Sequence, residues 1–145
     1  MKGWLASLAI YKEPRLVAIL LMGFSSGLPL ALTGATLGVW LAEAGLSLTA
    51  IGFFVLVGTA YTFKFVWSPI LDRMQLPPGF RALGRRRGWA FLVQILLCVA
   101  ILTLGMADPR IDPRWTALAA VAVAFLSASQ DIVIDAFRVE LLDEH

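Results

Sequence analysis

The chain has 145 residues, is 59% hydrophobic and only 15% charged, and carries a formal net charge of +2. Soluble domains average roughly 25% charged residues, so this composition, with its mean hydropathy of +0.82, excludes an ordinary water-soluble domain and implies a membrane protein. The pI of 9.0 decides nothing alone, because the placement of the cations carries the information.

Residues 1–13 place Trp4, Leu5, Leu8 and Tyr11 on one helical face with Lys2 and Lys12 off it, a pattern suited either to the headgroup region or to a frayed tail. Pro14 then sits where a helix start tolerates it. The first apolar run, Leu16 to Leu41, is much longer than the roughly 7–15 residues of a cleaved signal core, so it reads as a retained span.

A spanning helix needs about 20 largely apolar residues, and four such runs fill the chain: spans 1 to 4 at about 15–41, 50–71, 89–107 and 115–141. The fold class is all-α, a polytopic membrane protein. Span 1 holds Gly23, Gly27, Gly34 and Gly38 at four-residue intervals with Ala31 between, a small-residue ridge for close helix approach. Pro29 lacks a backbone donor and crowds the carbonyl of Ser25, which predicts a kink near Gly27 and Pro29.

Span 2 follows a short loop in which Ser47 or Thr49 is the expected cap. It carries Tyr61 and Lys64 one turn apart, too deep to dismiss as surface, although a lysine near a helix end can snorkel. The loop Asp72–Gly88 sets Arg73, Arg81, Arg85, Arg86 and Arg87 against Asp72, and residues 75–79, with Pro77 and Pro78, are expected to be non-helical. A nucleic-acid role is a poor reading, because the loop is short, lies between spans and lacks base-stacking aromatics. Span 3 has Gln94 as its one strongly polar side chain and reads as scaffold, with its Cys98, the chain's single cysteine, as packing. Asp108 to Arg114 is a charge-balanced loop.

By the positive-inside rule the arginine-rich loop and both chain ends are expected in the cytoplasm, with Trp40 and Trp115 marking the outer interface and Trp67 and Trp89 the inner one. Span 4 then presents the anomaly of the sequence. Asp131 and Asp135 lie in an otherwise apolar helix, where a charge at mid-bilayer costs about 2.5–3.5 kcal/mol on insertion scales and normally faces a protein interior or a watery cavity.

Ser127, Asp131, Asp135 and Arg138 share a face at i, i+4, i+8 and i+11, and Gln130 is turned about 100° away. At about 1.5 Å per residue, Lys64 and Asp131 fall at one depth, and Asp72 and Arg138 at another nearer the arginine loop. Two cross-helix pairs are therefore possible. Asp135 can pair locally with Arg138, which leaves Asp131 as the carboxylate that most needs Lys64, whether as a static clamp or as a pair broken during transport. No catalytic or metal-binding motif accompanies them: the single histidine is His145, no zinc helix or nucleophile elbow occurs, and both aspartates occupy one helix. Neither an enzyme nor a cofactor is expected.

Asp72-Arg73 followed by Gly84-Arg85-Arg86-Arg87 resembles the loop between the second and third helices of major facilitator superfamily transporters. Two features depart from the general pattern: Ser68 stands where glycine is usual, and Met74 to Leu83 separates motif halves that are normally almost contiguous. Phe24-Ser25-Ser26-Gly27-Leu28-Pro29-Leu30, the stretch Tyr61 to Pro69, Gly84 to Trp89, and Ser129-Gln130-Asp131-Ile132-Val133-Ile134-Asp135-Ala136 are together similar to the AmpG muropeptide permease branch. Related acetyl-coenzyme A transporters tend to have glycine at the place of Ala136.

The resemblance implies the first part of an amino-terminal transporter bundle in a bacterial inner membrane, importing anhydromuropeptides with protons. It assigns Lys64, Asp131, Asp135, Gln130 and Tyr61 to the transport pathway, and Asp72, Arg73, Gly84, Arg85, Arg86, Arg87 and Arg138 to a cytoplasmic gate. Such transporters have roughly twelve helices or more in two halves, so residues 1–145 are expected to be a partial domain. The lipid bilayer is its partner, with glycopeptide and protons added if the missing helices are supplied. An acetyl-coenzyme A transporter or another major facilitator permease, a noncatalytic scaffold, and a small four-helix oligomeric exporter are the alternatives.

Overall fold

The computed structural model describes residues 14–143, and the expectations for residues 1–13 and for His145 lie outside them. All regular elements among the described residues are helical. Span 1 comprises α1 (Pro14–Ala31), a π-turn (Leu32–Thr36) and α2 (Leu37–Glu43). Span 2 comprises α3 (Leu48–Val55), a 3₁₀ turn (Leu56–Gly58), α4 (Thr59–Thr62) and α5 (Lys64–Arg73). A second 3₁₀ turn (Pro78–Leu83) leads into span 3, α6 (Arg85–Met106), and α7 (Pro113–Asp143) is span 4.

Three of these helices are long and apolar enough to cross a membrane, and span 2 makes a fourth if its two bent parts are one crossing. Span 4 is the hub. Of its most apolar stretch 56% is buried within the protein, against 22% for span 3 and 11% for span 1, so the other helices pack around it. The reason lies in its side chains: Ala119, Ala120, Ala124 and Ala128 are small enough to let neighbours approach on several sides.

Pro29 stays inside α1 and span 1 remains one crossing; the ladder is disturbed just after it, as the π-turn at Leu32–Thr36, where the Thr33 hydroxyl donates to the Pro29 carbonyl at 2.9 Å. A sharp bend of 47° that the sequence reading did not anticipate falls in span 2 at Phe63. There the ladder tightens, with the Val66 N–H bonding the Phe63 carbonyl three residues back at 2.9 Å. Span 2 is thus not the single helix 50–71. Span 3 starts one turn earlier than expected and takes all three arginines into its first turn, while the turn at Pro78 already makes residues 78 and 79 helical.

Side chains cap the helix ends at the loops, Ser47 as expected and Asp112 and Arg110 in addition. Ser47 is the cap of α3, accepting the Ala50 N–H at 3.2 Å, and Asp112 accepts the Trp115 N–H at 2.9 Å to start α7. Arg110 satisfies the far end of span 1, donating to the carbonyls of Ala44 and Glu43 at 3.1 Å each.

The small-residue ridge of span 1 is mostly unoccupied. A Cβ at Gly27, Gly34 or Gly38 would meet nothing within 4 Å, whereas one at Gly23 would lie 2.8 Å from the Arg138 guanidinium. Cys98 is exposed on span 3 rather than packed. Two apolar cores result. The larger, at the end away from the arginines, joins all four spans through Leu37, Leu41, Phe54, Val57, Leu97, Leu104, Ala120 and Val123. The smaller, at the arginine end, comprises Leu76, Trp89, Val93 and Val133.

Candidate functional site: a charged layer between the two cores

Beyond the larger core span 4 turns a polar segment, Ser127 to Arg138, toward spans 1 and 2, while Val133 within it joins the smaller core. Lys64 enters at the start of α5, immediately after the bend at Phe63. Its amino group stands 3.8 Å from Asp131 and 3.8 Å from Asp135. Arg138 approaches the other oxygen of Asp135 at 3.7 Å. The result is a chain Asp131–Lys64–Asp135–Arg138 with two charges of each sign. Such a set is neutral as a whole, which is what a low-dielectric layer tolerates.

Both expected pairs form, Lys64 with Asp131 and Arg138 with Asp135, and the structure adds a third contact between Lys64 and Asp135. Lys64 bridges both carboxylates. One helical turn separates them on span 4, so an ammonium opposite the midpoint reaches both, and Asp135 is shared between Lys64 and Arg138.

Span 1 contributes residues that sequence reasoning left without a role. The Ser26 hydroxyl donates to Asp131 Oδ1, so Asp131 has a hydroxyl on one oxygen and an ammonium near the other. The adjacent Ser25 accepts from the Gln130 side-chain amide at 3.2 Å. Consecutive serines therefore bind consecutive residues of span 4. Their presence in a Gly- and Pro-rich span was the available signal, since serine hydroxyls in apolar helices commonly bond across to another helix. Gln130 is 97% buried by its 3% exposure, and its Oε1 has no partner; the Ser127 hydroxyl, fully buried, has none either.

Tyr61 packs against the larger core with its hydroxyl buried and without a hydrogen-bond partner. Gln94, read as scaffold, instead lines a cavity of about 310 Å³ with Ser25, Arg87 and Gln130. Trp67 packs on span 4: its indole N–H donates to Ser129 at 3.2 Å and its ring lies 4.8 Å from that of Phe125. Trp89 is likewise 9% exposed and belongs to the smaller core. Each indole fills a gap beside span 4 that a lipid-facing position would have left open.

The arginine motif divides three ways. Asp72 pairs with Arg86 at 3.1 Å and not with Arg138, because the early start of α6 brings Arg86 across to the end of α5 while Arg138 turns back to Asp135. Arg73 and Arg85 line a separate cleft with Arg81, and Arg87 faces the cavity with Gln94. Gly84, at φ 81°, supplies the reversal into α6 that only glycine adopts readily. Among the described residues no group of acids, histidines and cysteines could hold a metal ion.

The chain is 53% identical over 135 residues to the anhydromuropeptide permease of Escherichia coli, covering 93% of this chain and 27% of that protein. It is 37% identical over 131 residues to a Rickettsia prowazekii protein named as an AmpG transporter, covering 90% and 31% respectively. The chain thus spans about a third or less of the length of these relatives. No solved structure matches it. Residues 15–111 match the transporter family described as acetyl-coenzyme A transporter 1, and the chain belongs to that family.

Proposed function

We propose that this chain supplies the first helices of a proton-coupled importer of anhydromuropeptides in a bacterial inner membrane, with the arginine end and both termini in the cytoplasm. The observation that carries the reading is the Lys64 ammonium held at equal distance from two carboxylates of span 4. Each carboxylate has a second partner, Ser26 for Asp131 and Arg138 for Asp135. A proton taken up by Asp131 weakens its hold on Lys64 and leaves the ammonium to Asp135, which in turn loosens Arg138 from its seat over Gly23. One proton thereby alters contacts on spans 1, 2 and 4. The substrate class comes from the E. coli relative, whose name states it and whose identity is 53% over 93% of this chain.

The test uses a chimera in which this chain replaces the matching 135-residue stretch of the E. coli permease. Cells lacking their own permease should take up labelled anhydromuropeptide through it, faster at acidic external pH. Asp131→Asn should remove the pH dependence and Lys64→Ala should remove most uptake. If both variants transported normally with an unchanged pH profile, the reading would be abandoned. The family description favours one second reading, export or import of acetyl-coenzyme A, which the same cells test with labelled acetyl-coenzyme A.

A further inference from the structure

The ten residues Met74 to Leu83, which part the two halves of the arginine motif, form a folded unit rather than a slack insertion. Pro77 leads into the 3₁₀ turn, closed by Phe80 N–H to the Pro77 carbonyl at 3.0 Å and Gly84 N–H to the Arg81 carbonyl at 3.2 Å. Leu76 folds under the start of α6 into the smaller core. The contact is close: a Cβ at Gly88 would lie 2.2 Å from the Leu76 side chain and 2.7 Å from the Phe80 carbonyl. The segment is therefore clamped on α6 at a position where only glycine fits.

What the clamp presents is a cleft of about 440 Å³ lined by Arg73, Met74, Gln75, Leu76, Arg81 and Arg85. Arg81 is oriented by its Nε donating to the Leu76 carbonyl at 2.9 Å. No acidic side chain lines the cleft among the described residues, and Asp72, the nearest in sequence, is engaged by Arg86. Three arginines line one open cleft, and their summed positive charge favours an anion among them. Their planar forks suit the oxygens of phosphate. Met74 and Leu83, each 48% exposed, and Phe91, 54% exposed, add apolar surface on the segment and on α6, as a lipid boundary requires.

We propose that this cleft binds a phosphate group, supplied by the headgroup of an anionic phospholipid in the leaflet on the arginine side. The proposal is independent of what the transporter carries. Chain purified in mild detergent and examined by native mass spectrometry should retain phosphatidylglycerol but not phosphatidylcholine. Each arginine near a membrane surface contributes about 1 kcal/mol, roughly a fivefold change. Arg73→Gln/Arg81→Gln/Arg85→Gln should therefore weaken retention about 100-fold and Arg81→Gln alone about fivefold. Arg114→Gln, at the opposite end of the bundle, should leave it unchanged. The single variant keeps the test open should the triple variant fail to fold, which circular dichroism and gel filtration would reveal. Binding of inorganic phosphate in zwitterionic nanodiscs without lipid retention would support the phosphate site while assigning its source to solution. Equal phosphatidylglycerol retention by the wild type and Arg81→Gln, or equal loss in Arg114→Gln, would overturn it.

Discussion

The two halves of this bundle are held together by different forces, although the same span 4 runs through both. Away from the arginines, Ala119, Ala120, Val123 and Ala124 meet Leu37, Leu41, Phe54 and Leu97 in an apolar interior, against which Tyr61 packs with its hydroxyl unpartnered. Nearer the arginines, Ser129, Gln130, Asp131 and Asp135 meet Trp67, Ser25, Ser26 and Lys64 through hydrogen bonds and ion pairs. The first kind rests on shape and apolar burial, the second on polar and charged partners held across helices.

The contrast can be broken most severely at Lys64. Removing one member of a buried pair costs about 3–5 kcal/mol, and the side-chain exposure of 38% for Lys64 and 59% for Asp135 lowers that figure. Lys64→Ala should still give the largest loss of uptake in the chimera, with Lys64→Arg restoring part of it. In the apolar half, Ala120→Leu forces a larger side chain into a site with 0% exposure. It should destabilise the chain by about 1–3 kcal/mol in a detergent unfolding titration and leave the pH dependence of any remaining uptake unaltered.

Ser26→Ala sharpens the comparison from the side of span 1. It removes a hydrogen bond to a charged group, worth about 1.5–3 kcal/mol where fully buried and less at the 21% side-chain exposure of Asp131. The expected signature is a shifted pH profile of uptake with the chain's helicity preserved. Arg110→Gln should do least. It loses the cap on the end of span 1, about 1 kcal/mol of stability, and should not touch the pH profile, because Arg110 lies at the apolar end.

Much of this was legible in one dimension, and the successes and failures have separate causes. Depth along a helix depends only on residue count, so Lys64 and Asp131 could be matched before any coordinates. Periodicity likewise placed Asp131, Asp135 and Arg138 on one face. Partner choice was less accessible. Asp72 and Arg138 share a level, yet Asp72 takes Arg86, because the first turn of α6 lies closer than the far end of α7. The contacts that Trp67 and Trp89 make beside span 4 were likewise not readable from position alone.

The sequence by itself determined the membrane class, the spans, the concentration of arginine at one end and the presence of two carboxylates in an apolar helix. Composition and spacing are properties of the chain alone, and each of these follows from them. The tertiary structure decided that span 4 is the hub, that span 2 bends at Phe63, and that Ser25 and Ser26 complete the polar layer. It also decided that Lys64 serves both aspartates. Those outcomes depend on how far each helix is rotated and bent against its neighbours, which is set by the packing of all the spans together.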